Sequence, residues 1–333
     1  MGERKLVTID QIVDIQPITN ADFIEMVQVR NWQCVAKKGD FQLGDLCVYF
    51  EIDSLIPVAD RFDFLKCGGI KSVEINGDTF YGYRIRTQKY KNQIAQGLAL
   101  PFSFFEERNT FPTEIGSDVT SLFSVVKWEL PLYTGMGIMN QYGVFPMFIP
   151  KTNEQRIQNL DLNTIQNKVW GCFEKVDGTS ATYYRYEGEF GMCCHEWRLR
   201  DDTLNLFVTM ADKYNLREVI PEGFAIQGEI VGPGIQSNRQ KFPGKRFMLF
   251  HVFNIVKQCY VDWYHDGLFW ELDRVPFMYY LNSCTDQFMD INEWLGLAMS
   301  LGKNKEGIVL SRFNKNLPFG KESFKVINNN YLV

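Results

Sequence analysis

Residues 5–58 are almost entirely short alternating runs of apolar and polar residues broken by Gly and Asp, a pattern that reads as short strands with turns between them. LVTIDQIVDIQPI (6–18), FIEMVQVRNWQCVAKK (23–38) and LCVYFEID (46–53) read as strands. KKGDFQLGD supplies turn residues between two of them, and SLIP (54–57) ends the run. VEINGDTFYGYRIRT (73–87) reads as a hairpin around Asn76-Gly77-Asp78, residue types that tolerate the positive φ of a tight turn. In this part of the chain a helical signal appears only around Asp118–Lys127.

Several short strands within about 100 residues favour a small barrel, with an OB-type barrel as the closest pattern. At 333 residues the chain exceeds one ordinary domain, so a second is expected. Residues 128–150 read as a connector rich in breakers: Pro131, Gly135, Gly137, Gly143, Pro146 and Pro150. Beyond it, Asn153-Glu-Gln-Arg-Ile-Gln-Asn-Leu begins like a capped helix, and CFEKVDG and ATYYRYEGEFGMCC are strand-like. Thr203–Leu216 carries apolar residues at helical spacing. AIQGEIVG and FMLFHVFNIV suit buried strands, and a second helix over Phe288–Leu301 precedes strands GIVLSRF and SFKVI. The expected class is α+β: an OB-type domain over 1–127, a connector over 128–150, and a domain with predominantly antiparallel sheets over 151–333.

Composition narrows the function. A net charge of -5 removes any whole-chain electrostatic argument for nucleic acid, so such a claim must rest on motifs. Eight cysteines without a CxxC pair, Cys193 abutting Cys194, and three separated histidines fit neither a disulfide framework nor a zinc site; reduced buried thiols are expected. Met1 is followed by charged residues, and no apolar run reaches the roughly 20 residues of a membrane span. A soluble intracellular protein is the expectation.

The sharpest local feature is Glu174-Lys175-Val176-Asp177-Gly178-Thr179-Ser180. Alone it is weak, because Asp-Gly is also an ordinary hairpin turn. A lysine amine attacks phosphorus only when neutral, and a free lysine with a pKa of about 10.4 is protonated near pH 7. A nucleophilic Lys175 therefore needs burial or nearby cations. Downstream, in order, come Gln227-Gly228-Glu229-Ile-Val-Gly232, FMLFHVFNI (247–255), Glu306-Gly307-Ile-Val-Leu and Ser323-Phe-Lys325-Val-Ile.

This ordered set, over nearly all of 169–333, resembles the motifs shared by ATP-dependent ligases and mRNA capping enzymes, whose nucleotidyltransferase domain is ATP-grasp-like. Within that superfamily it is most similar to the Deinococcus/Naegleria-type RNA ligases. FPMFIPKTNEQRIQNL (145–160), GEIVGPGIQSN (228–238) and the stretch PITNADFIEMVQVRNWQCVAKKGDFQLGDLCVYFEID (17–53) resemble the same group and its N-terminal OB domain. The resemblance implies an RNA ligase: Lys175 takes AMP from ATP, AMP passes to a 5′-phosphate end, and a 3′-hydroxyl attacks and releases AMP. It implies that Lys325 grips the α-phosphate and that Asp177, Glu229 and Glu306 hold the hydration shell of a catalytic Mg²⁺ or Mn²⁺. It further implies that Gly178 lets the backbone approach the ribose and phosphates, that Glu174 accepts a hydrogen bond from the adenine amino group, and that Phe253 stacks on adenine. The partners implied are RNA ends, in a nicked duplex, and the expected state is a monomer.

Each role has a plainer alternative. The three acids could be solvated strand ends, and Lys325 a surface lysine. Phe253 could be core, since alternation puts Phe247, Leu249, His251 and Phe253 on one strand face. Two departures from the family pattern stand out. His195 in CCHEWRLRDD aligns with a family arginine, with Arg198 and Arg200 nearby; alternation groups His195 with Trp197 and turns Arg198 away. Asn254 stands where Asp is common. Two rival functions remain. A capping-type guanylyltransferase would use GTP, but it and DNA ligases place an OB domain after the Lys325-type motif, whereas here the barrel precedes it. A non-catalytic OB-fold RNA-binding protein would be expected to have lost Lys175 or Glu306, and both are present.

Overall fold

The computed structural model describes residues 4–75, 78–91, 93–129, 141–202, 204–262, 269–282 and 290–333. The chain divides near residue 131 into two units. The first contains β1 (Val7–Pro17), β2 (Ile24–Val29), β3 (Trp32–Lys37), β4 (Leu46–Phe50), β5 (Ser54–Pro57), β6 (Ile70–Ile75), β7 (Asp78–Arg84), β8 (Gln88–Tyr90), β9 (Gln93–Ala95), β10 (Leu98–Pro101) and β11 (Val126–Lys127). One sheet has the order β10-β4-β1-β2-β3, a second β11-β5-β7-β6, and β8 pairs with β9. The long β1 serves two partners: Val7–Gln11 pairs with β4, and Ile12–Pro17 with β2 through a bulge between Ile12 and Asp14. Such a bulge bends a strand and lets the sheet curl. The curl brings β3 back towards the start of β10, where the Gln96 N–H donates to the Gln33 carbonyl at 2.6 Å. Val27, Val29, Trp32, Cys34 and Tyr49 fill the interior. Gly97 is required there: its φ is +98°, and a Cβ would lie 2.5 Å from the Tyr49 ring.

Two readings of this unit change. SLIP is strand β5 of the second sheet. The helical signal at Asp118–Lys127 resolves into a 3-10 turn, Thr120–Phe123, and β11, because Phe123 and Val125 are drawn into the core around Phe50. β6 and β7 pair as expected, with Ile75 opposite Asp78; Asn76 and Gly77 of the turn lie outside the described residues.

The second unit contains β12 (Gln141–Val144), β13 (Gln155–Arg156), β14 (Val169–Lys175), β15 (Thr179–Tyr186), β16 (Glu189–Cys193), β17 (Trp197–Leu199), β18 (Phe224–Val231), β19 (Arg246–Asn254), β20 (Cys259–Val261), β21 (Phe277–Asn282), β22 (Gly307–Phe313) and β23 (Lys321–Ile327). Among the described residues its α-helices are α1 (Leu206–Lys213), α2 (Leu216–Val219), α3 (Ile291–Met299) and α4 (Asn329–Leu332). A seven-stranded sheet has the order β12-β17-β16-β15-β18-β19-β20, and a five-stranded sheet β13-β23-β22-β14-β21. α1 packs on the first sheet through Phe207, Val208, Met210 and Ala211. α3, opened by the Asp290–Glu293 capping box, packs Trp294 edge-on against Phe324, which also meets Trp170 edge-on.

The helix expected from Asn153 is absent. Gln155–Arg156 is instead a short strand that pairs in parallel with β23 and sets Arg156 beside Lys325, so a distant partner overrides local helical pattern. Of the expected connector, 130–140 lies outside the described residues, and Gln141–Val144 is an edge strand of the seven-stranded sheet. The seven described cysteines are free thiols; five are buried, Cys67 is exposed and Cys259 half-buried. Among the described residues no helix is long and apolar enough to cross a membrane.

Candidate active site

β14 belongs to the five-stranded sheet and β15 to the seven-stranded one, so Val176-Asp177-Gly178 is the crossover between the sheets and Lys175 stands at its start. Gly178 is demanded by packing: a Cβ there would lie 2.3 Å from the Ile230 carbonyl oxygen of β18. Close approach to protein backbone therefore explains this glycine. Lys175 is paired across the sheet with Gly307, and its Nζ donates to Glu306 Oε2 at 2.7 Å. Burial alone would lower the Lys175 pKa, but Glu306, then Glu229 and Asp177, outweigh it and hold the amine above its ordinary value. The ligand-free lysine is thus an ammonium ion.

Glu229 lies on β18 opposite Ser180 of β15. Burial, reinforced by Glu306 and Asp177, pushes its carboxyl up to about 8. Asp177 is also raised, by burial first, although it accepts a 2.5 Å hydrogen bond from the Tyr331 hydroxyl. The donor set is hard, anionic and short of positive charge, which fits a divalent cation. The oxygens of these three acids do not all lie within 4.8 Å of one another, so they suit a hydrated ion better than a bare one.

Basic groups reach the same acids from β23 and β13. Strand parity puts Lys321, Ser323 and Lys325 on one face, while Phe324 and Val326 enter the α3 core. Burial, helped by Lys175 and Arg156, pushes Lys325 down to about 7. Lys321 Nζ lies 2.5 Å from His251 Nε2, 3.5 Å from Glu154 Oε1 and 4.5 Å from the centre of the Tyr260 ring, bridging the two sheets. Burial would raise Glu154, but Lys321 dominates and takes it to about 2. Burial, then Lys321, holds His251 well below its ordinary value, so it is neutral.

Lys175, Asp177, Glu229, Glu306 and Lys325 are therefore gathered in one place. Glu174 adjoins them: its Oε1 accepts from Lys305 Nζ at 2.7 Å and Gln240 Nε2 at 2.8 Å, while Gln240 Oε1 accepts from the Asp177 N–H.

Phe253 is placed differently. A bulge between Gln227 and Gly228 breaks the alternation of β19, so Phe247, Leu249 and Val252 face the α1 core, whereas His251 and Phe253 face the other way. Phe253 is 0% exposed, enclosed with Phe145, Tyr184 and Ile255, and offers no open face to a base. Phe250, at the bulge, is half-buried beside Val176 and Met248.

The strand-face reading of His195 also fails. His195 lies in the turn between β16 and β17, with Nδ1 2.7 Å from Glu196 Oε1. Trp197 packs on the α1 core, and Arg198 pairs with Cys193 on the same face as Thr182 and Tyr184, which is the Glu229 face. Arg198 stacks over Tyr142 and Tyr184 and donates to Glu189. Asn254 caps the β19–β20 turn, accepting from the Lys257 N–H at 2.8 Å.

Several site residues were not singled out from sequence: Glu154, Arg156, Gln240, His251, Lys305, Lys321, Asn328 and Tyr331. The even spacing of Lys321 and Lys325 on a strand was a usable signal. Asn328 and Tyr331 gave none; they follow the last motif, yet Asn328 Nδ2 donates to the carbonyls of Gly302 and Lys305 and its N–H to that of Glu306.

Two predominantly antiparallel sheets joined through a lysine loop, with acids and basic groups gathered around it, make a site suited to nucleotidyl transfer. Family models match as an OB-fold domain over residues 6–102 and as RNA ligase over residues 168–327. The structure of the Naegleria gruberi RNA ligase with pyrophosphate is 34% identical, covers 99% of this chain and 98% of that one, and superposes with a TM-score of 0.84. Mutants of that ligase with ATP and Mn, and with AMP and Mn, match with TM-scores of 0.84 and 0.85 at the same identity and coverage. No curated protein matches. The chain belongs to the RNA ligase family, in the Naegleria type.

Proposed function

We propose that this RNA ligase uses ATP and a divalent cation, with Lys175 as its covalent nucleophile. The observation that carries the proposal is the position of Lys175 Nζ, 2.7 Å from Glu306 and in the field of Glu229, Asp177 and Lys325. Lys175 Nζ, once deprotonated, attacks the α-phosphorus of ATP; the N–P bond forms as the bond to pyrophosphate breaks. Lys325 and Arg156 hold phosphate oxygens against repulsion, since such transfers depend on positioning and charge neutralisation. Asp177, Glu229 and Glu306 would hold the hydrated Mg²⁺ or Mn²⁺, which supplies positive charge to the phosphate and lowers the lysine pKa. AMP then passes to a 5′-phosphate end, and a 3′-hydroxyl displaces it to seal the strand. Nicked duplex RNA is the proposed substrate, the OB barrel its proposed binding domain, and a monomer the proposed state.

Labelled ATP tests the reaction. Wild-type protein should acquire label from ATP and little from GTP, and Lys175→Ala should acquire none while keeping its circular dichroism spectrum. A normal adduct in Lys175→Ala would remove the nucleophile assignment.

A further inference from the structure

We infer that Lys305 is a specificity-determining residue that, together with Glu174, reads the pairing edge of the nucleotide base and selects adenine. The inference rests on the proposed ATP reaction at Lys175 and on the expectation that Glu174, the residue before it, accepts a hydrogen bond from the adenine amino group.

Both neighbours of Glu174, Lys305 and Gln240, donate to the same oxygen, Oε1. Among the described residues nothing donates to Oε2, so one carboxylate oxygen is an open acceptor beside a fixed ammonium group. Lys305 is tethered from behind: Asn328 Nδ2 holds its carbonyl at 2.9 Å, and the next residue is Glu306, which contacts Lys175. Its Nζ has three protons and uses one on Glu174, leaving two. Gln240 fixes the carboxylate from the other side while bonding the Asp177 N–H, which ties the acid to the lysine loop. Glu174 is thus held by two donors and still has capacity to accept.

An acceptor next to a donor matches one purine. Adenine presents an amino donor at C6 beside the N1 acceptor, while guanine presents a carbonyl acceptor at C6 beside an N1–H donor. Oε2 accepts the adenine amino proton and Lys305 Nζ donates to N1. Guanine would set its carbonyl against the carboxylate and its N1–H against the ammonium, leaving both polar pairs opposed in a partly buried place. A lysine serving only as an ion-pair partner for Glu174 would be indifferent to N1.

The test uses the full chain and two base analogues, with pyrophosphate release as readout. Purine riboside triphosphate lacks the amino group; 1-deazaadenosine triphosphate keeps it and lacks the N1 acceptor. Wild type should use each analogue about 10- to 100-fold less well than ATP in kcat/KM, the range for removing one hydrogen bond to a charged group. Lys305→Met should use ATP and the deaza analogue equally, still penalise the purine riboside analogue, and discriminate less against GTP. If wild type accepts purine riboside triphosphate as readily as ATP, the placement of Glu174 at the base fails. If that penalty is present but wild type ignores the loss of N1, or Lys305→Met still senses it, the role of Lys305 is overturned while that of Glu174 stands.

Discussion

Glu229 gives the most quantitative test of the site's electrostatics. Burial and the neighbouring acids push its carboxyl up to about 8 in the folded protein, against an ordinary value of 4.5. An acid whose native pKa is raised binds more protons when folded than when unfolded at any pH between the two values. Its contribution to stability is fully present below about pH 4.5 and is lost as the pH climbs towards about 8. Each pH unit is worth about 1.4 kcal/mol, so the whole interval corresponds to about 5 kcal/mol. Glu229→Gln keeps the volume and shape of the protonated acid but cannot ionise. The gap in stability between the variant and wild type should therefore widen in favour of the variant by about 3 kcal/mol between pH 5.5 and 7.5, and level off above about 8. Denaturant unfolding of both proteins in chelator, at matched pH steps, measures the gap, and groups common to both cancel. Added Mg²⁺ should narrow it by stabilising the ionised wild-type acid. Parallel stability–pH curves for the two proteins would refute the crowded-acid site.

Tyr331→Phe removes the 2.5 Å hydrogen bond to Asp177 and should raise the Mg²⁺ concentration for half-maximal adduct formation about 10-fold, in line with a bond to a charged group; an unchanged metal titration would show that the tail does not position this acid. Gly178→Ala places a methyl group 2.3 Å from the Ile230 carbonyl and should lower stability by about 2 kcal/mol or more and abolish labelling; a stable, active variant would contradict the close approach. Arg198→Ala should impair sealing of pre-adenylylated nicked RNA at least 10-fold while His195→Ala does little, since Arg198 shares a face with Glu229; the opposite sensitivities would restore His195.

The motif residues were legible because each sits on a regular strand, at a strand end or in the crossover, where side-chain direction follows from neighbouring geometry. Lys175 ends β14, Glu306 immediately precedes β22, and Lys325 keeps strict parity within β23. Parity failed where one extra residue entered a strand. The bulge opposite Gln227–Gly228 reverses the faces of His251 and Phe253 relative to Phe247, and local sequence does not announce it. The segment after Asn153 was misread for a different reason: its strand partner, β23, lies far along the chain, and pairing at that distance overrides local spacing. His195 misled because Cys194–Glu196 is a turn, which resets alternation before β17. Asn328, Tyr331 and Lys305 could not be ranked from sequence, since their importance comes from the backbone groups and acids they reach.

The charge states of the two lysines are opposite to what the proposed reaction needs, and that opposition has a physical function. Lys175, the proposed nucleophile, is held protonated by Glu306 and Glu229, while Lys325, the proposed phosphate clamp, is pushed down to about 7 by burial beside Lys175 and Arg156. An ATP triphosphate entering beside Lys325 adds negative charge and raises its pKa, converting it into the cation the clamp requires. A divalent cation among the acids offsets the field that keeps the proton on Lys175 and lowers its pKa. Each change also favours the other, because a charged Lys325 itself lowers the Lys175 pKa. Neither ligand alone completes the reversal: triphosphate without the cation adds negative charge that holds the proton on Lys175 more firmly. On the proposed roles, the nucleophile is unmasked only when nucleotide and metal are present together, and the same acids that would hold the metal keep the lysine protonated in its absence.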